Sequence, residues 1–124
     1  MHVAPTPFGA GGLFGGGERY PLELARAVAR SVETELVTFG PSPRVVADPA
    51  GSGLRIRVLR AVAHVGGHPA HPVAPALPAV VAGRRRADVV HTHHLWSTPS
   101  QVAVVAARAA GRAVAVTDHG LAPP

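Results

Sequence analysis

An α/β domain with a parallel sheet and flanking helices is predicted by three features of the chain. Short β-branched runs alternate with segments of helical period, which is the pattern of strand–helix–strand units. A glycine-rich run, Gly9 to Gly17, separates the first apolar segment from the first amphipathic helix. The segment LRIRVLR, Leu54 to Arg60, alternates strictly, as a strand does when one of its faces is covered.

The elements follow in order. Met1 to Ala4 reads as a short first strand, ended by Pro5, Pro7 and the glycines. Gly17 to Val32 reads as a helix, with Leu22, Leu24, Ala25, Val28 and Ala29 at helical spacing and Pro21 accommodated in its first turn. Glu35 to Gly40, ELVTFG, is a second strand stopped by Gly40-Pro41. Leu54 to Arg60 is a third, with arginines on its uncovered face. Ala61 to Pro78 is rich in Gly, His and Pro and reads as a loop. Ala79 to Arg86 is a helix with its arginines at the end the dipole favours. Asp88 to His91 is a buried strand, and Pro99 to Ala110 a helix capped by Ser97 or Thr98 and stopped by Gly111. Ala113 to Thr117, AVAVT, is the last strand. Right-handed crossovers join such units.

Composition narrows the function. The 124 residues, 47% hydrophobic, suit one domain with one core. Without cysteine there are no disulfides and no thiolate metal ligands. The N-terminus lacks the basic and apolar regions of a signal peptide, and no apolar stretch is long enough to span a bilayer, so a soluble, cytoplasmic protein is expected. The net charge of +5 comes from arginine alone. Only Arg84, Arg85 and Arg86 cluster and the aromatic residues are scattered, a pattern that argues against nucleic acid and fits contact with an anionic membrane face or a phosphorylated ligand. No G-x-G-x-x-G, lysine-bearing phosphate loop or G-x-S-x-G elbow is present, which excludes the common dinucleotide, kinase and serine-hydrolase readings.

In a parallel sheet, ligands sit beyond the carboxyl ends of the strands. Three polar groups are expected there: the glycine run after the first strand, His91, His93 and His94 around the end of DVVH, and Asp118-His119-Gly120 after AVAVT. Glycines let backbone N–H groups approach an anion closely, and the helix that follows turns its own unsatisfied N–H groups toward the same place. Glu18 and Arg19 stand in its first turn, where an acid is favoured by the dipole even without a ligand. Trp96 is either a stacking surface for a sugar or a packing residue.

The segments GGGERYPLELARAVAR, ADVVHTHHLWSTP and GRAVAVTDHGL, in that order and spacing, resemble the N-terminal, acceptor-side domain of glycosyltransferase family 4, the retaining GT-B enzymes. The resemblance covers nearly the whole chain and is weakest from Arg44 to Pro78. The expected entry to the second strand, Gly-His-Glu-Val in type, is replaced by Ser31-Val32-Glu33-Thr34-Glu35. The resemblance implies a Rossmann-like half of a GT-B architecture. It implies transfer of a sugar from a nucleotide-sugar donor to an acceptor hydroxyl with retention, without a metal or other cofactor. By motif, Gly15 and Gly16 offer N–H groups to the donor phosphates, His119 lines the reaction centre as the catalytic residue, and Glu18, Arg19, His91, His93 and Asp118 border the substrates.

Such enzymes close their site between two domains, and most donor contacts belong to the second. Residues 1–124 are therefore expected to be an incomplete N-terminal domain, not competent alone, that works with a C-terminal domain encoded either with it or separately. A sheet cut after its fifth strand is expected to be marginal and prone to aggregate. Two readings stand beside this one. The chain is a noncatalytic acceptor-binding or interaction domain, or it is a metal-binding module built on His91, His93 and His94, with His64, His68, His71 and Asp118 as further ligands.

Overall fold

The computed structural model describes residues 1–5, 16–83 and 87–118, and in it a twisted six-stranded sheet is covered by helices on both faces. The elements are β1 (His2–Val3), α1 (Gly16–Ala29), β2 (Glu35–Gly40), β3 (Arg44–Ala47), β4 (Arg55–Arg60), β5 (Ala63–His64), a 3₁₀ turn (Val65–Gly67), β6 (Pro72–Val73), α2 (Leu77–Ala82), β7 (Val89–His93), α3 (Thr98–Ala109) and β8 (Ala113–Thr117). The sheet order is β3-β4-β2-β1-β7-β8, and β5 pairs with β6 in a small separate hairpin.

Side-chain alternation on the central strands sorts the apolar residues into two cores. Val3 and Val37 join Phe39, Leu77, Val81, Val90, Ala103 and Ala107 on the face covered by α2 and α3. Their neighbours Ala4 and Leu36 join Leu22, Ala25, Leu54 and Ile56 under α1. Helix α1 applies Leu22 and Ala25 to the sheet, while Leu24 and Val28 border a groove of about 740 Å³ beside it. Among the described residues no helix is long and apolar enough to cross a membrane.

ELVTFG and AVAVT form strands with the expected bounds. Ser97 caps α3 by accepting from Ser100 N at 3.4 Å, and Gly111 takes the left-handed backbone, φ 69°, that ends it.

Several expectations need correction. The sheet is not wholly parallel, because Val45 and Val46 lie in β3, which runs antiparallel to β4 around a turn held by Asp48. The sequence Asp48-Pro49-Ala50-Gly51 is a turn signal after a β-branched pair, and it marks this hairpin. Helix α1 ends at Ala29 rather than Val32, since Ser31 and Val32 turn back onto the Val28 carbonyl to feed β2, leaving Val32 exposed. Helix α2 begins two residues earlier than expected, with Pro78 in its first turn, and ends at Ala82; Arg84, Arg85 and Arg86 lie outside the described residues. The segment read as a plain loop holds the β5–β6 hairpin. The face of β4 carrying Arg55 and Arg57 is not simply solvated, because both guanidiniums reach the buried carboxylate of Glu35.

Candidate functional site

Parallel pairing of β1, β2, β4, β7 and β8 brings their carboxyl ends to one edge. Register fixes who meets whom there. Val3 is level with Thr92, and His93 with Thr117, so Ala4 and Pro5 arrive beside His93 and His94, with Asp118 next along. Residues 9–15 of the glycine run lie outside the described residues. Gly16 opens α1, and Glu18 stands in its first turn. Arg19 is exposed on the same helix, 4.0 Å from Glu23. Gly15 and His119 lie outside the described residues.

The β7–α3 turn is the most built part of the edge. His94 takes φ 61°, unusual for a residue with a Cβ, and is pinned there by backbone bonds from its N–H to the Thr117 carbonyl and from Ser97 N–H to its own carbonyl. That kink delivers Ser97, Thr98 and Ser100 to the start of α3. Ser100 Oγ donates back to the His93 carbonyl at 2.5 Å. His71, from the segment before β6, accepts the Thr98 N–H at Nδ1, 3.2 Å away, with Thr98 Oγ1 at 3.0 Å.

Around the turn, Trp96 is ringed by histidines: ring centroids lie 5.2 Å from His71 and 6.1 Å from both His68 and His94. The indole Nε1 is buried without a hydrogen-bond acceptor among the described residues. A half-buried indole flanked by imidazoles sets a flat apolar surface beside polar rings, a surface of the kind on which sugars stack.

His91 and His93 do share a face, but they belong to β7 itself, and that face is the one under α1. His93 is fully buried and stacks on His91 with ring centroids 4.4 Å apart. His91 Nε2 is 2.8 Å from Thr117 Oγ1. Sequence reasoning missed their third neighbour, His2, which is level with His91 across β1 and β7 and holds its Nδ1 3.2 Å from His93 Nε2. Burial, then the neighbouring His91 and the N-terminal ammonium, push the His2 imidazole down to about 4. Only the pairing of strands ninety residues apart brings it there, and no local pattern announces that pairing.

The groove of about 740 Å³ opens toward the other end of the sheet, bordered by Glu33, Glu35, Asp88 and Arg112 at the amino ends of β2, β7 and β8. It thus lies toward the opposite end of the sheet from His94 and Asp118.

Residues 15–124 match the model of a family described as the glycosyl transferase 4-like domain. No curated protein and no solved structure gives a significant match.

Proposed function

We propose, since the chain belongs to the glycosyl transferase 4-like domain family, that it is the acceptor-side half of a retaining, hexosyltransferase-type enzyme of GT-B architecture. The donor is a nucleotide sugar, the acceptor carries a free hydroxyl, and a second, donor-binding domain completes the site. In this reading Gly15 and Gly16 bring N–H groups to the donor phosphates, stabilising the charge that develops on the departing diphosphate. His119 stands at the reaction centre, and Asp118, Glu18 and Arg19 border the substrates. The reaction needs no metal. The enzyme works in the cytoplasm, and its arginine surface suits an acceptor held at an anionic membrane face.

The observation that carries the reading is the edge itself. The end of β1, from which the glycine run departs, stands beside the strained turn at His94 and the approach to Asp118, with Trp96 and its histidines next to it. That arrangement supports the reading, since ligands of parallel sheets sit beyond the carboxyl ends of the strands.

The experiment is transfer from a panel of nucleotide sugars, with the donor-binding domain supplied. Wild type should turn over with retention, read as the anomeric configuration of the product. His119→Ala should lose at least about a hundredfold in kcat/KM, the scale of a lost transition-state hydrogen bond. Unchanged turnover in that variant would remove His119 from the centre. Turnover by the 124 residues alone would refute the need for a second domain, and acceptor binding without transfer under every condition would make the domain a noncatalytic binder.

A further inference from the structure

We infer that His2, His91 and His93 form a binding site for a divalent late transition-metal ion, zinc foremost, on the α1 face of the sheet. One ring nitrogen from each residue lies within 4.8 Å of the other two. The tightest pair, His2 Nδ1 and His93 Nε2, is 3.2 Å apart. Two nitrogens bound about 2.0 Å from a tetrahedral zinc are separated by roughly 3.3 Å, so this pair already has the spacing that chelation requires.

The strands supply the rigidity. A His-x-His pair on β7 projects two imidazoles to one face, and the register of β1 sets the third level with the first. His2 and His93 are buried and His91 is half-buried, so the donors are fixed by packing rather than held on loops. Thr117 Oγ1, 2.8 Å from His91 Nε2, is the kind of second contact that fixes the orientation of a ligating ring. His2 and His91 also border the large groove, which provides an entry path and room for a water as fourth ligand.

The donor set decides the ion. Three imidazoles and no carboxylate suit zinc, copper or nickel and suit magnesium or calcium poorly. The loop histidines are a different matter. His68 and His71 pack on Trp96, and His71 Nδ1 is committed to Thr98. An ion on the strand site would tie β1 to β7 and so fix the end of β1 from which the glycine run leaves.

The test uses the full chain stripped of metal, titrated with Zn²⁺, Co²⁺ and Mg²⁺, and needs no catalytic assay. One equivalent of Zn²⁺ should bind and raise the melting temperature, Co²⁺ should give the intense visible bands of a four-coordinate ion, and Mg²⁺ should do neither. His91→Ala, at the half-buried position, should weaken Zn²⁺ binding more than a hundredfold. Thr117→Val, which keeps all three ligands, should weaken it about tenfold, whereas the double variant His68→Ala/His71→Ala should bind as wild type does. Absence of saturable Zn²⁺ and Co²⁺ binding by the wild type would overturn the proposal without recourse to any variant. So would binding that survives His91→Ala and disappears in the loop variant. Neither result bears on sugar transfer, so this proposal and the transferase reading fail separately.

Discussion

Arg26 holds Asp48 side-on: its Nε is 2.9 Å from Oδ2 and its Nη2 is 2.8 Å from Oδ1. The carboxylate also accepts from Ser52 Oγ at 2.6 Å and Ala50 N–H at 3.2 Å. Helix α1 is thereby fastened to the β3–β4 turn through a single buried acid. The Arg26 guanidinium, with help from Ser52 and Ala50, holds the Asp48 carboxyl down to about 2.

A pKa depressed in the folded state has a definite sign. The unfolded chain takes up the proton first, so stability that is complete above the ordinary value of 3.8 drains away as the pH falls toward 2. Asp48→Asn should cost about 2 kcal/mol at neutral pH, the order expected when a partly buried charged pair loses one member. The gap between the melting curves of the two proteins should narrow as the pH falls from 3.8 toward 2. An equal gap at pH 2 and pH 7 would show that shape, not charge, is what Asp48 contributes.

Glu35 places a buried carboxylate between Arg55, whose Nη2 is 2.8 Å from Oε2, and Arg57, whose Nε reaches Oε1. Removing the acid takes its carboxylate from Arg57, which is 19% exposed, and leaves the half-exposed Arg55 with Glu33 at 3.9 Å. Glu35→Leu should therefore destabilise by about 3 kcal/mol in urea unfolding, and the double variant Glu35→Leu/Arg57→Leu should recover part of that loss. Additive costs in the double variant would mean the two side chains act independently.

The start of α3 is satisfied by two groups from different parts of the chain, Ser97 at the cap and His71 at Thr98 N–H. Ser97→Ala should cost about 1 kcal/mol. His71→Ala should cost a similar amount through the orphaned N–H. Both losses should appear as earlier amide exchange in the first turn of α3, and a change confined to other elements would contradict the assignment.

Among the described strands β8 pairs only with β7, leaving one side of its backbone open, and Val116 on it is 43% exposed. Open apolar edges recruit other strands. Val116→Lys should lower self-association in sedimentation while shifting stability by no more than about 0.5 kcal/mol. Unchanged self-association would locate the sticky surface elsewhere.

Elements whose cause is local were legible in the sequence. ELVTFG and AVAVT are β-branched runs bounded by turn residues, and Ser97 with Gly111 brackets a helix by well-understood chemistry. The strand β3 escaped because four residues with one β-branched pair give too short a period to stand out. For the candidate site, the order of polar clusters along the chain predicts an edge at the strand ends; of those residues the structure describes His94 and Asp118 there, while His91 and His93 lie within β7. The partnership of His2 with His91 and His93 was not legible, because it depends on which strand takes the central place. The ring of histidines about Trp96 was equally hidden, since the loop that supplies His68 and His71 carries no periodic signal.

The central place belongs to β1, which is two residues long and holds β2 on one side and β7 on the other. The order in which the chain folds follows from that. The β3-β4-β2 half can assemble from neighbouring sequence, but its backbone is bridged to β7 and β8 only when residues 2 and 3 find partners near residue 91, and the core shared by Val37, Phe39, Val90 and Ala103 closes with it. Closing so wide a loop for so few hydrogen bonds sets a late, slow step. Substitutions in the β3–β4 hairpin, which forms before that step, should therefore alter mainly the rate of refolding, as should those in β1 and the facing part of β7 whose pairing is the step itself.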